Sequence, residues 1–334
     1  MVSMVGNAIS LAKGWVQFPK LFGEDFLISL NDTAFQIGSI EIKWYGVIIS
    51  LAVVLCIILG LRSCEKHGLT KDDVLDYIIF AIPSAIVGAR LYYVIFEWDR
   101  YKHNLLSIFD YTNGGLAVYG GVIAALLALF FVSRYKKHSF LNVAGFAMPY
   151  IILGQAIGRW GNFFNQEAFG CETTLPWGMT GNKIQALGYT ELVHPTFLYE
   201  SLWCFAAFAV LMIYRKKWEK SDRECLYLYM ILYGIERTVV EGLRTDSLYI
   251  GNTDIRVSQV LSAVLVIAGI TLFIYTKVKQ NKDPDYLAKT IRKNIEKQEN
   301  AEIAEKEESE EAEDSCANSE NASETESAAE NDNN

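Results

Sequence analysis

The stretch Ile157-Gly158-Arg159-Trp160-Gly161-Asn162-Phe163-Phe164-Asn165-Gln166-Glu167-Ala168-Phe169-Gly170 closes a long apolar run with an arginine, three amides and a carboxylate. The run itself, from Leu141 to Asn162, has the length a helix needs to cross about 30 Å of hydrocarbon. Read as a membrane span, it carries Arg159 where a cation costs roughly 2.5–3.5 kcal/mol at the helix centre on insertion scales, so Arg159 marks a functional position by default.

Six more runs of similar character surround it: Tyr45 to Leu61, Tyr77 to Phe96, Leu116 to Val132, Thr196 to Tyr214, Leu226 to Leu243 and Val257 to Tyr275. With 51% hydrophobic and 13% aromatic residues in a chain of 334, they favour one membrane bundle over two soluble domains. The expected fold is therefore all-α, a polytopic membrane protein with about seven transmembrane helices spanning residues 41–282.

Charge in the connections sets the expected orientation, because short basic loops stay in the cytoplasm. Arg62, Lys66 and Lys71 follow the first run, Arg134, Lys136 and Lys137 the third, and Arg215, Lys216, Lys217, Lys220 and Arg223 the fifth. Lys277, Lys279 and Lys282 follow the seventh. The alternate loops carry fewer: Arg100 and Lys102, then Lys183, then Arg244 and Arg256. An N-terminus outside and a C-terminus in the cytoplasm follow.

Residues 1–40 read as an extracytoplasmic arm in which Phe18, Phe22 and Phe26 fall at four-residue spacing, either a short interfacial helix or a packed arm. No basic region leads directly into an apolar core and a small-residue cleavage site, so the first run is expected to target the chain. Residues 283–334 hold 17 acidic and 5 basic residues, a net of 5 − 17 = −12 against −9 for the whole chain, leaving −9 + 12 = +3 before them. This segment is expected to be an acidic, disordered cytoplasmic tail, with a frayed helix around Leu287 to Ile303. The cysteines, Cys56, Cys64, Cys171, Cys204, Cys225 and Cys316, form no CxxC pair, so neither a metal nor a disulfide framework is expected.

In that orientation the unusual residues fall at one depth. Tyr45, the Gly114-to-Gly121 stretch around Tyr119, and His194 open helices on the outer side, while Arg90, Arg159, Asn162, Arg237 and Glu241 close them there. Tyr233, Arg237 and Glu241 recur every four residues and so share one stripe of a helix. Arg237 and Glu241 read as a self-satisfied pair or as part of a site; a second arginine, Arg159, at the same depth favours an anion, and phosphate suits the planar guanidinium fork. The glycine pairs around Tyr119 suit close helix packing or a ligand, and Arg90 reads either as a snorkelling cation or as a site residue. Trp44, Trp98, Trp160 and Trp177 read as interfacial belts. Residues 163–195, with Gly170, Gly178, Gly181 and Gly188, are too long for a structureless loop and are expected to form a small extracytoplasmic cap.

The signature Gly158-Arg159-Trp160-Gly161-Asn162-Phe163-Phe164-Asn165-Gln166-Glu167 resembles that of the bacterial prolipoprotein diacylglyceryl transferases. The resemblance spans residues 40 to 276 through Lys43-Trp44-Tyr45-Gly46, Gly88-Ala89-Arg90-Leu91, Gly114 to Gly121, His194-Pro195-Thr196-Phe197-Leu198-Tyr199-Glu200 and Tyr233-x3-Arg237-x3-Glu241-Gly242-Leu243-Arg244. It implies a seven-helix enzyme of the bacterial cytoplasmic membrane that moves diacylglycerol from phosphatidylglycerol to the lipobox cysteine of a prolipoprotein and releases glycerol phosphate. It implies that Arg159 and Arg237 bind phosphatidylglycerol, with Asn162, Glu167, Tyr45, Gly170, Tyr233 and Glu241 in essential or supporting roles. Where many members carry a histidine proposed as the base, this chain has Tyr119; His194 and Tyr119 both stay open as the proton acceptor.

The chemistry asks for no cofactor or metal and no nucleic acid; its partners are the lipid and the precursor. A thiol near pKa 8.5 must lose a proton to attack the glyceryl carbon, and arginines would neutralise charge on the departing phosphate. Glu167 and Glu241 are expected to orient the two guanidiniums. An organic-anion transporter or a non-catalytic lipid-binding protein would also use intramembrane arginines, but a transporter needs polar groups along its whole path.

Overall fold

The computed structural model describes residues 14–283 except 39, 111–113, 246–248, 250–252 and 254. The expectations for residues 1–13 and for the acidic segment beyond Asp283 lie outside the described residues.

Seven long helices make up most of the described chain: α1 (Trp44–Ser63), α2 (Lys71–Phe96), α3 (Val118–Tyr135), α4 (Phe140–Asn165), α5 (Thr196–Lys217), α6 (Arg223–Leu243) and α7 (Val257–Lys282). Six are long and apolar enough to cross a membrane, and α6 is the exception. Its apolar run is interrupted by Glu236, Arg237 and Glu241 and preceded by Arg223 and Glu224, and the carboxylates of Glu224, Glu236 and Glu241 are buried inside the protein. Charge turned inward lowers the hydropathy of α6 without exposing that charge.

One helix extends beyond its apolar run because local polar groups cap it. α2 starts at Lys71 rather than Tyr77: the Thr70 hydroxyl accepts from the Asp73 amide at 3.0 Å while Asp73 accepts from the Thr70 amide at 2.8 Å. This reciprocal pair satisfies helix-end donors that an apolar count does not see.

α4 is the central helix. Of its most apolar window 56% is buried within the protein, against 11% for α1, α2 and α7, whose remaining apolar surface faces outward. α4 packs against α1, α5 and α6, while α2 pairs with α3 and α6 with α7. Ile152 and Ala156 of α4 meet Cys204, Ala207 and Leu211 of α5 in one core, and Val143, Phe146 and Tyr150 of α4 meet Cys64 and Tyr77 in another.

The α2–α3 seam explains the glycine pairs. A Cβ on Gly88 would lie 2.2 Å from the Ala124 Cβ, and one on Gly120 would lie 2.2 Å from the Tyr92 Cβ. These glycines serve backbone approach between helices. Arg90, 3% exposed, does not snorkel: it donates to the carbonyls of Ser107, Ile108, Asp110, Gly114 and Gly115 and so shapes the α2–α3 connection. Gly115, at φ +83°, passes so close to Arg90 Nη1 that a Cβ would stand 2.4 Å from it.

The chain is not wholly α-helical. β1 (Gly14–Gln17) lies between β2 (Ile28–Leu30) and β5 (Thr180–Gly181) in an antiparallel sheet, and β3 (Thr33–Ile37) pairs with β4 (Ile40–Lys43). Only Pro19–Phe22 is helical in the phenylalanine-spaced segment; Phe18 is buried, whereas Phe22 and Phe26 are exposed and in ring contact. Val16, Phe18 and Leu30 share a core with Phe169, Met179, Ile184 and Val193, and with Phe163 and Phe197 from α4 and α5. The small strands escaped sequence reading because each is too short to show alternation.

Gly88→Val is expected to force α2 from α3 and to destabilise the fold by about 1–3 kcal/mol or more, as overpacking does. Thermal unfolding in detergent measures this; an unchanged midpoint contradicts the seam.

Candidate functional site

α4 ends where its polar signature begins. Gln166 takes a left-handed conformation (φ 52°), and its buried amide donates to Asn182 Oδ1 at 2.8 Å and accepts from the Lys183 amide at 3.0 Å. Asn182 also accepts from the Trp15 amide at 2.8 Å, so one side chain ties the end of α4 to the small sheet. Asn162 and Asn165 both donate to Glu167 Oε1, at 3.0 and 3.1 Å. Part of the cluster is thus helix termination.

Arg159 is different. Its Nη1 lies 2.8 Å from Glu200 Oε2, and Glu200 Oε1 lies 3.2 Å from Arg237 Nη1. Arg237 Nη2 in turn lies 2.7 Å from Glu241 Oε2. Three helices contribute: Arg159 from α4, Glu200 from α5, and Arg237 and Glu241 from α6. Glu200 is 0% and Glu241 1% exposed. Sequence reasoning brought Arg159, Arg237 and Glu241 together correctly but gave Glu200 no role. Glu200 falls at the end of the His194-to-Glu200 motif, one turn inside an otherwise apolar helix, which is the signal that would have found it.

The expectation that Glu167 orients a guanidinium does not survive the geometry. Glu167 is exposed and folds back onto Asn162 and Asn165, and the bridging carboxylate is Glu200 instead.

Arg159 opens onto a cavity of about 620 Å³ that it lines with Tyr45, Gly158 and Asn162 and that continues along α1, α2 and α4 past Ile49, Val53 and Ile78 to Tyr77 and Phe146. Its walls are mostly apolar, with Arg159, Asn162 and Tyr45 grouped at one end and Gln155, Tyr150 and Tyr77 further along. Tyr45 packs on Gly161, where a Cβ would stand 2.6 Å from the tyrosine ring, and neighbouring Trp44 stacks on Phe164 with centroids 5.5 Å apart. Glycine at 161 therefore lets the start of α1 lie against the end of α4.

The remaining sequence-derived residues lie around this network. Tyr233 stacks on Tyr229 at 5.5 Å on α6. Gly170 passes between two segments: its amide donates to the His194 carbonyl at 2.9 Å, and a Cβ would meet the His194 Cβ at 2.8 Å and the Leu243 carbonyl at 3.0 Å. Its contribution is close approach. Tyr119 meets Ser258 of α7 at 3.3 Å. His194 Nδ1 meets the Tyr199 hydroxyl at 3.1 Å, and Trp177 donates to the same hydroxyl at 2.7 Å. Neither proton-acceptor candidate touches the arginines. Trp160 donates to Ser201 at 3.2 Å, and Ser201 donates to the Ala156 carbonyl at 2.8 Å, which fixes α5 to α4 beside the ion pairs.

Among the described residues, one set of groups away from this network has metal-ligand character: single atoms of His67, Glu219 and Asp222 lie within 4.8 Å of one another. Arg215 already pairs with both carboxylates, at 3.3 and 3.9 Å, and His67 pairs with Asp222 at 2.5 Å. Arg215 already supplies positive charge to the carboxylates a metal ion would use.

Partial burial holds the His194 imidazole below its ordinary value of about 6.5. Below that value the unfolded chain binds the proton and the folded chain resists it, so stability falls as pH drops from about 6.5 through the folded value. Histidine NMR on the intact protein is expected to show His194 titrating below 6.5, and a midpoint above it contradicts the burial argument.

The comparisons with known proteins point one way. A family model described as prolipoprotein diacylglyceryl transferase matches residues 32–275. The phosphatidylglycerol–prolipoprotein diacylglyceryl transferase of Finegoldia magna is 47% identical over 248 residues, covering 74% of this chain and 96% of that protein. The protein of the same name from Listeria innocua is 46% identical over 275 residues, covering 80% and 98%. That from Clostridium botulinum is 43% identical over 260 residues, covering 76% and 99%.

Proposed function

This chain belongs to the prolipoprotein diacylglyceryl transferase family and is a transferase of lipoprotein maturation, and from that membership we infer how its own residues carry the reaction. It transfers diacylglyceryl from phosphatidylglycerol to the thiol of a prolipoprotein's lipobox cysteine. The thiolate sulfur forms a bond to the glyceryl carbon, the carbon–oxygen bond to phosphate breaks, and glycerol phosphate leaves with the electron pair.

The observation that carries this reading is Arg159 at the polar end of a long apolar cavity, coupled through Glu200 to Arg237. A phospholipid has that same division, an anionic head on apolar tails. Arg159 and Arg237 hold the phosphate and neutralise charge that grows on it as the bond breaks, usually the largest single contribution to such a step. Tyr45 and Asn162 line the headgroup end, Tyr233 and Glu241 support Arg237, and Gly170 holds the surrounding segments close. Residues 163–195 cap the site, and Glu167 supports the end of α4 beneath that cap.

The thiol proton goes to His194 or Tyr119 through water. Partial burial disfavours the protonated His194 imidazole, leaving the neutral form that can accept a proton.

The six apolar helices support a multi-pass membrane protein, and we take α6 as the seventh crossing because its charges are buried against neighbouring helices. The basic connections put the N-terminus outside and the C-terminus in the cytoplasm of a bacterial cell membrane. The arginine network then lies at the outer side, where phosphatidylglycerol enters laterally and a signal helix presents its cysteine.

Purified protein mixed with phosphatidylglycerol and a lipobox peptide is expected to release glycerol phosphate and to raise the peptide mass by one diacylglyceryl group; no thioether under any condition refutes the assignment. Arg237→Lys is expected to lose about 100-fold or more in turnover, since an ammonium cannot reproduce a fork already shared between two carboxylates. Near-normal turnover excludes bidentate use of Arg237. Tyr119→Phe is expected to stay within about tenfold of the parent if His194 is the acceptor, and a loss near 1,000-fold, within the range of general-base effects, moves the role to Tyr119.

A further inference from the structure

Glu200 is the group both guanidiniums share. Resting on the phosphatidylglycerol reading above, we propose that Glu200 is a positioning residue, a built-in anion that holds Arg159 and Arg237 side by side for the lipid phosphate.

Three observations carry this. Glu200 is fully buried and gives one carboxylate oxygen to each arginine, Oε2 to Arg159 at 2.8 Å and Oε1 to Arg237 at 3.2 Å. Its backbone is fixed: Thr196, 0% exposed, donates to the Ala168 carbonyl, and Ser201, 1% exposed, donates to the Ala156 carbonyl at 2.8 Å. Finally, Arg159 lines the cavity while Glu200 and Arg237 stand behind it. The carboxylate thus pairs with Arg159 by charge from outside the cavity lining, and the guanidinium faces an anion arriving through the cavity.

Two guanidiniums from separate helices repel each other in a low-dielectric interior, and without a shared anion each would turn toward another partner. Glu200 removes that repulsion before substrate arrives. Glu241 pairs with Arg237 from the next turn of the same helix.

Glu200→Gln keeps the volume and drops the charge. In the phosphatidylglycerol and lipobox-peptide assay, kcat is expected to fall by about 100-fold or more while KM for the lipid changes by less than about threefold, since the cations remain but their arrangement is lost. Inorganic phosphate should then fill the vacated position: at saturating phosphate the thermal midpoint of Glu200→Gln rises by about 3 °C or more beyond any rise in the parent.

A kcat within threefold of the parent overturns the proposal, and so does a phosphate-dependent rise that is equal in both proteins or absent from both. If Glu200→Gln does not accumulate in membranes, Glu200→Asp decides. That variant keeps the charge but is one methylene too short to reach both arginines, so a loss of about tenfold in kcat supports the role and parent-like kcat overturns it. Should the parent protein itself yield no product, the lipid reading fails, and the phosphate-dependent midpoint still judges Glu200 because it needs no turnover.

Discussion

The arrangement depends on one electrostatic constraint: two guanidiniums brought together among apolar helices need carboxylates buried with them, one of which reaches both. Two like charges 4 Å apart repel by about 4 kcal/mol even at an effective dielectric constant of 20, and stripping one partner from a buried ion pair costs about 3–5 kcal/mol. Glu200 and Glu241 meet that requirement from two helices, α5 and α6. Packing around them follows the same need. Ser201 and Trp160 lock α5 to α4 at the level of the ion pairs, and Gly161 lets the start of α1 approach with Tyr45 and Trp44.

The constraint also explains why α6 differs from its neighbours. A helix carrying Glu236, Arg237 and Glu241 is too polar to face lipid on all sides, yet its carboxylates are buried and its opposite contacts are made by α7. Gly234 and Gly269 lie at that seam, where a Cβ on either would fall within 3 Å of the other helix. In the transferase reading, α6 supplies charge, α7 shields the helix that bears it, and α1, α2 and α4 enclose the apolar cavity for the lipid chains.

Much of this was legible because membrane segments write themselves as long apolar runs, and an arginine inside one, such as Arg159 or Arg237, stands out against that background. The stripe of Tyr233, Arg237 and Glu241 was equally readable, since helical periodicity is a local property. Glu200 was harder to assign because its importance is not local: nothing in Thr196-Phe197-Leu198-Tyr199-Glu200 says that the carboxylate faces two arginines on other helices. Glu167 was misassigned for the converse reason. It sits near Arg159 in sequence, but the left-handed turn at Gln166 swings it back onto Asn162 and Asn165. Arg90 shows the same limit, because five carbonyl acceptors in a loop leave no trace in a hydropathy profile. The short strands β1, β2 and β5 pair only because residues far apart in the chain share the core built on Val16, Phe163 and Ile184.

The central claim is that the two arginines organised by Glu200 receive the phosphate of phosphatidylglycerol at the head of the apolar cavity. An experimental structure of the protein in nanodiscs of phosphatidylglycerol tests it most directly. The account predicts a phosphate within hydrogen-bond distance of Arg159, with the acyl chains running along α1 and α4 and Glu200 still between the two guanidiniums. A lipid headgroup bound elsewhere, with both arginines satisfied by carboxylates and no phosphate near them, would contradict it.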